Sequence, residues 1–68
     1  MKFFDLVRGI KAVLPTEYVC ETEPYHLLNV YKDARETRGV RLRLVGFKRP
    51  SSNQTAVALG TIIQDLLG

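Results

Sequence analysis

The sequence predicts an α+β domain of two layers, built from a helix, three antiparallel strands and a second helix in that order. Three observations predict it. Apolar residues recur at intervals of three and four near both ends of the chain, as in amphipathic helices. Between them, apolar and polar residues alternate in short segments, as in strands with one solvated face. Proline and glycine separate the segments. Both helices are expected to pack on one face of the sheet.

The first helix is predicted over residues 3–14. Its charged residues, Asp5, Arg8 and Lys11, fall on one side, and Pro15 ends the run because it cannot continue the helical hydrogen-bond ladder. Gly9 weakens the helix by about 1 kcal/mol relative to alanine. The opposite side is apolar and is expected to face the core: Phe3, Leu6, Val7, Ile10, Val13 and Leu14.

Two segments are predicted strands. Residues 17–22 alternate, with Tyr18, Cys20 and Thr22 on one side and Glu17, Val19 and Glu21 on the other. Residues 40–47 give the clearest strand. In this segment Val40, Leu42 and Leu44 face one way, while Arg41, Arg43 and Val45 face the other.

Residues 25–38 fit two structures. As a strand, residues 26–32 pair with 40–47 through a charged loop that ends at Gly39. As a helix, Pro24 lies in the first turn and Gly39 is the C-terminal stop. We prefer the strand, because Leu-Leu-Asn-Val-Tyr is better suited to a strand than to a helix. The strand would place Tyr25, Leu27, Asn29 and Tyr31 on one side.

The last helix is predicted to begin after Pro50, with Ser51 or Ser52 as its cap. The far side carries almost no charge, which we interpret as a polar surface rather than one that another element approaches through Gly60. That side is Gln54, Ala58, Thr61 and Asp65. The predicted buried stripe is Ala56, Leu59, Ile63, Leu66 and Leu67, widened by Val57 and Ile62.

A length of 68 residues predicts a single domain that spans residues 1–68. Cys20 is the only cysteine, so no disulfide forms within the chain, and this composition suits a reducing compartment. His26 is the only histidine and has no ligand spacing beside it, so no metal or other cofactor is expected. No apolar stretch approaches a membrane span. The expected location is the cytoplasm, with no membrane partner.

No residue pattern supports catalysis. The glutamates at 17, 21 and 23 have the spacing of a strand's solvent side, and the serines at 51 and 52 lack a visible His–Asp relay. Cys20 is expected to act as a small apolar residue, and no phosphate-binding glycine loop is present. We therefore expect neither enzymatic activity nor a small-molecule substrate.

Charge divides the middle of the chain. Residues 16–31 hold three glutamates and no lysine or arginine, whereas residues 32–49 hold seven basic and two acidic residues, a net +5. In the strand structure Arg41 and Arg43 project from one sheet face. If Tyr25 and Tyr31 lie on that face, it combines guanidinium groups with aromatic rings, a combination that binds phosphates and stacks on bases. The predicted contacts to nucleic acid or to an acidic partner are Arg35, Arg38, Arg41, Arg43, Lys48, Arg49 and Tyr31.

The order of elements resembles the double-stranded RNA-binding domain. Residues 14–19, Leu-Pro-Thr-Glu-Tyr-Val, are similar to that family's passage from first helix to first strand. Residues 51–56, Ser-Ser-Asn-Gln-Thr-Ala, followed by an Ala/Leu-rich helix, are similar to its last helix. The resemblance covers almost the whole chain and implies the fold. The lysines with which the family grips phosphates are replaced by Ser52, Asn53 and Gln54, and its first-helix glutamate has no counterpart beside Arg8 and Lys11.

Two functions follow as predictions. The first is a small non-enzymatic domain that binds nucleic acid, including double-stranded RNA, through the basic sheet face and hairpin. The alternative is a protein-binding module, such as an adaptor, a phage-type inhibitor or a dimerisation domain, which uses the uncharged last helix or the basic face. Loss of the family's lysines favours protein binding or a homodimer.

Overall fold

The predicted α+β order is confirmed. In the computed structural model, which describes residues 3–44 and 53–68, two helices pack on one face of a three-stranded antiparallel sheet with the strand order β1-β2-β3. The strand predicted at 17–22 is shifted toward the C-terminus, the strand predicted at 40–47 begins one residue earlier and ends at Arg43, and the preferred strand at 26–32 is present. The elements are α1 Phe3–Val13, β1 Val19–Glu23, β2 Leu27–Tyr31, β3 Gly39–Arg43 and α2 Asn53–Leu67.

The register assigns each strand residue to one of two faces. Leu28 pairs with Leu42 and with Thr22, and Val30 pairs with Val40. Because side chains alternate along a strand, these residues form the inner face, toward the helices. The outer face carries the other set: Val19, Glu21, Glu23, Leu27, Asn29, Tyr31, Gly39, Arg41 and Arg43.

The core lies between the inner face and the helices. Leu6, Ile10, Leu28, Val30 and Ile63 have almost no exposed surface. The half-buried Tyr18 and Cys20 pack against this core, as the alternation in the first strand predicts. The apolar side chains of both helices and of the central strand therefore supply most of the burial that stabilises the domain.

Two small residues bring α1 and α2 together. A Cβ atom added to Gly9 would lie 2.8 Å from the Cβ of Ala56, and one added to Gly60 would lie 2.8 Å from Cγ1 of Val13. The Gln64 side chain also donates a 3.3 Å hydrogen bond to the Val13 carbonyl oxygen. Gly60 thus accommodates α1 of the same chain.

The buried stripe predicted for α2 is partly wrong. Val57, Ile62 and Leu66 are about half exposed, at 48%, 51% and 56%. Hydrophobic periodicity predicted that these three side chains are buried. The pattern does not show that the side of α2 in contact with α1 is too narrow to cover them. The predicted polar side, Gln54, Ala58, Thr61 and Asp65, is exposed. Val45, Lys48, Arg49 and the predicted caps Ser51 and Ser52 lie outside the described residues.

Neither of the two helices has the length and apolar character needed to cross a bilayer, within the residues that the structure describes.

Candidate binding surfaces

The outer sheet face is exposed and carries the predicted arginines. Arg41 and Arg43 project from β3 on the same side as Tyr31 of β2. Tyr31 is half-buried because its ring lies over Gly39, where an added Cβ would meet Cδ1 at 2.6 Å. Tyr25 was predicted on this face but lies in the β1–β2 turn instead, since β2 begins only at Leu27.

Arg41 is held within the sheet. Its Nε donates a 2.9 Å hydrogen bond to Oδ1 of Asn29, its direct partner on β2. Its terminal nitrogen lies 3.5 Å from the Glu23 carboxylate. Asn29 is buried although it lies on the outer face, so this hydrogen bond satisfies an acceptor that water scarcely reaches. Arg41 is therefore less available to a ligand than Arg43.

Carboxylates occupy the β1 side of the same face. The Glu36 carboxyl raises the pKa of Glu21, first by a hydrogen bond that favours the protonated form and then by repulsion between the two charges. Glu36 has a positive φ of 56° in the β2–β3 loop. Glu21, Glu23 and Glu36 thus offset the charge of Arg41 and Arg43, and the outer face is mixed rather than basic.

The arginines of the β2–β3 loop are exposed. The backbone N–H of Arg35 donates a 2.9 Å hydrogen bond to Oδ1 of Asp33. The Arg35 side chain therefore projects from a short turn. Arg38 precedes β3, where its carbonyl accepts a hydrogen bond from the Lys32 N–H. Arg35, Arg38 and Arg43 form no ion pair in the portion described. These three are the predicted site arginines that remain open to a partner.

The side of α2 opposite α1 forms an apolar strip that sequence reasoning placed in the core. Ile62 and Leu66 lie about 120–160° around the helix from the Gly60–Gln64 side that contacts α1. Half-buried Leu59 joins them to the core. Because α2 packs against β3, this strip lies along the β3 side of the domain. We call Leu59, Ile62 and Leu66 the α2 flank.

The β1–β2 turn presents aromatic rings that sequence reasoning also missed. Tyr25 and His26 have positive φ values of 68° and 60°, and Tyr25 is 82% exposed. The His26 ring packs edge-on against Phe3 at 5.0 Å. With the 67% exposed Phe4, these residues border an open depression of about 360 Å³. Only the Pro24 turn signal pointed to this region.

Two observations on the described side chains concern metal binding and thiol reactivity. No group of three or more His, Cys, Asp or Glu residues there has a metal-binding arrangement. Burial raises the pKa of the Cys20 thiol, against a smaller opposing effect of Lys11. A raised pKa leaves less of the nucleophilic thiolate at neutral pH.

Comparison with protein-family models, with curated proteins and with solved structures finds no match to this chain. The resemblance to the double-stranded RNA-binding domain therefore stays a prediction.

Proposed function

We propose that this chain is a non-enzymatic protein-binding module. The observation that carries the proposal is the α2 flank, where Ile62 and Leu66 are half exposed beside the half-buried Leu59. Apolar side chains that are exposed together cost free energy in water and mark interaction surfaces when they form a patch. The outer face beside it supplies charges of both signs, the usual rim of a protein interface.

The mixed charge also separates this proposal from nucleic-acid binding. Each cationic side chain that contacts a phosphate increases the affinity of a protein for nucleic acid, and each carboxylate near a phosphate decreases it. On the outer sheet face, Glu21, Glu23 and Glu36 lie among the groups that a nucleic acid covering Arg41 would approach. A protein with complementary acidic and basic groups would satisfy both signs.

A second candidate function, binding of nucleic acid such as double-stranded RNA, rests on Arg35, Arg38 and Arg43. These side chains are exposed and free of ion pairs in the described part of the chain. In this proposal they contact phosphates, with Lys48 and Arg49 extending the contact and Tyr31 offering a ring.

The two candidates are separated by a pair of titrations with the same protein. Duplex RNA, single-stranded RNA and duplex DNA are titrated at 50 mM and 200 mM salt. The second candidate predicts salt-dependent binding that is weaker in Arg43→Gln, with the slope of log affinity against log salt concentration reduced by about one. That result would establish the second candidate and remove the first as the main function. Absence of any shift at 50 mM salt would remove the second.

Protein binding is tested with a charge variant of the α2 flank. Tagged wild-type protein and Ile62→Glu are used for affinity capture, and each captured protein is then purified and titrated directly. We expect a saturable complex that Ile62→Glu weakens at least about tenfold. Val57→Glu is the matched control, since Val57 is equally exposed but lies on the other side of α2. Equal loss in both variants would contradict an α2-flank interface.

A further inference from the structure

The outer edge of β3 is open in the described part of the chain. β3 pairs only with β2 there, and the sheet order places it at one side. The Leu44 N–H donates to the His26 carbonyl, and the Lys32 N–H donates to the Arg38 carbonyl. In an antiparallel ladder such pairs alternate, so Leu42 and Val40 also direct their peptide groups toward β2. Gly39, Arg41 and Arg43 direct theirs outward.

The two sides of this edge differ in chemistry. Above it, on the outer face, stand the Arg41 and Arg43 side chains, two residues apart and so about 7 Å from each other along the strand. Below it lies the α2 flank, with Ile62 and Leu66 half exposed. A strand added beside β3 would therefore place alternate side chains against guanidinium groups and against apolar surface.

We propose that β3 accepts an extended acidic segment of a partner protein as a fourth strand of the sheet. This inference rests on the proposed protein-binding function and names the partner's chemistry. The segment alternates carboxylate and aliphatic side chains. One of its carboxylates pairs with Arg43, its aliphatic side chains cover the α2 flank, and its peptide groups bond to Gly39, Arg41 and Arg43. Strand addition of this kind takes affinity from the main chain and specificity from alternate side chains.

The β1 edge fits a strand less well. Its outward peptide groups belong to Cys20 and Thr22, since Val19, Glu21 and Glu23 pair with β2. The adjacent outer-face side chains are the acidic Glu21 and Glu23. The main contacts of α2 with the sheet are with β3, so the α2 flank lies away from β1. Among the described residues, arginine side chains stand beside an outer strand edge only at β3.

The test uses the whole chain and a defined probe, a capped peptide of four Glu-Val repeats, followed by NMR titration and amide hydrogen exchange. We expect saturable binding and slower exchange at Gly39, Arg41 and Arg43. Raising the salt from 50 to 500 mM should weaken binding at least about fivefold, because the carboxylate–guanidinium contacts are screened. A Lys-Val peptide and a Glu-Val peptide with proline at its second valine are the control probes, and neither should bind.

Two pairs of variants locate the contact. Arg43→Gln and Ile62→Ser should each weaken the Glu-Val peptide at least about threefold. Arg8→Gln removes the same charge from α1, and Val57→Ser removes an equally exposed apolar side chain from the other side of α2, so both should bind like wild type. Each variant's spectrum reports whether it is folded.

Three results would overturn the inference. One is no saturation at millimolar peptide, or binding that leaves the three amides unprotected. Another is equal binding of the Lys-Val peptide. The third is protection of the same amides without peptide. If that protection and the sedimenting mass both increase with protein concentration, the edge binds a second copy of the chain. A protein partner that needs Ile62 but leaves these amides unprotected would remove the inference and keep the proposed function.

Discussion

The two arginines of β3 lie on the same face of the sheet but differ in the hydrogen bonds and ion pairs that they form. Arg41 completes the hydrogen bonding of buried Asn29, whereas Arg43 has no ion-pair partner in the described structure. Removing one partner of a buried polar pair leaves the other unsatisfied, which costs about 1–3 kcal/mol. The exposed contact of Arg41 with Glu23 adds little, because solvent screens it.

Arg41→Ala should therefore lower the free energy of unfolding by about 1 kcal/mol, and Arg43→Ala should change it by less than about 0.5 kcal/mol. Urea unfolding of the two variants measures both values. Equal losses would show that the Asn29 hydrogen bond does not stabilise the fold. The comparison also predicts that Arg43 is the better residue to replace in any binding experiment.

The carboxyl contact between Glu21 and Glu36 predicts a pH dependence. The hydrogen bond with Glu36, followed by repulsion from its charge, raises the pKa of Glu21 in the folded state. A raised carboxyl pKa contributes stability below the unfolded pKa and loses it as the pH rises through the folded pKa. Glu21→Gln should therefore raise the melting temperature slightly at pH 7, and its advantage should vanish below about pH 4.

Thermal melts from pH 3 to pH 8 measure this difference, with Glu17→Gln as a control carboxyl outside the pair. An advantage of Glu21→Gln that is constant across the pH range would contradict the proposed cause, since only the ionisation of the pair varies with pH.

Tyr25 combines an unfavourable backbone with an exposed ring. A non-glycine residue in the left-handed region costs about 1 kcal/mol or more, and at 82% exposure the ring returns little packing energy. Tyr25→Gly should increase stability by up to about 1 kcal/mol in denaturant unfolding. Val19→Gly, in the regular part of β1, should decrease it. Loss of stability in Tyr25→Gly would show that the ring packs in solution.

At the scale of elements, the contact between α1 and α2 depends on the pairing of a glycine with an alanine. Gly9→Ala gains about 1 kcal/mol of helix propensity but places a methyl group 2.8 Å from the Ala56 Cβ. We expect a net loss of about 1–2 kcal/mol from overpacking. The swapped variant Gly9→Ala with Ala56→Gly should recover most of that loss, because one methyl group again occupies the contact.

A double-mutant cycle in urea measures the coupling, which we expect to be favourable by about 1 kcal/mol or more. Additive effects of the two substitutions would show that the helices separate in solution by more than the structure indicates.

Local sequence patterns predicted the elements well because each has its own period and stop signal. Pro15 ends the pattern that forms α1, and alternation from Val40 gives β3. The ambiguous segment is a strand because Leu28 and Val30 complete the inner face between β1 and β3. That reason depends on residues at least six positions away, so the local pattern alone could not decide it.

The candidate surfaces were less predictable. Alternation correctly placed Arg41 and Arg43 on one face, but it left open whether Tyr31 lies beside them. It also could not show that Asn29 and Glu23 hold Arg41 or that Glu36 reaches Glu21. These contacts cross strands and a loop. Nor could helical periodicity distinguish Ile62 from Ile63, since both are apolar and adjacent; only the direction of α1 decides which is buried.

At the scale of the molecule, the small core leaves little reserve of stability. A core of this size rarely supplies more than about 3–5 kcal/mol. Ile63 is fully buried, so Ile63→Ala should cost about 3 kcal/mol and leave a large unfolded fraction. Ile62→Ala, at a half-exposed position, should cost less than about 1 kcal/mol. Circular dichroism melts of both variants measure the contrast, and similar melting temperatures would contradict the assigned orientation of α2.

The close approach of the helices has a consequence for the exposed side of α2. Because Gly60 sits directly on Val13 and Gly9 on Ala56, α2 cannot roll about its own axis without pushing a larger side chain into α1. An amphipathic helix with apolar residues on an exposed side would otherwise lower its free energy by such a rotation. Ile62 and Leu66 are thus kept facing water by the shape of the contact on the opposite side. The partner that we propose would meet them already positioned, with no reorganisation of the helix to oppose binding.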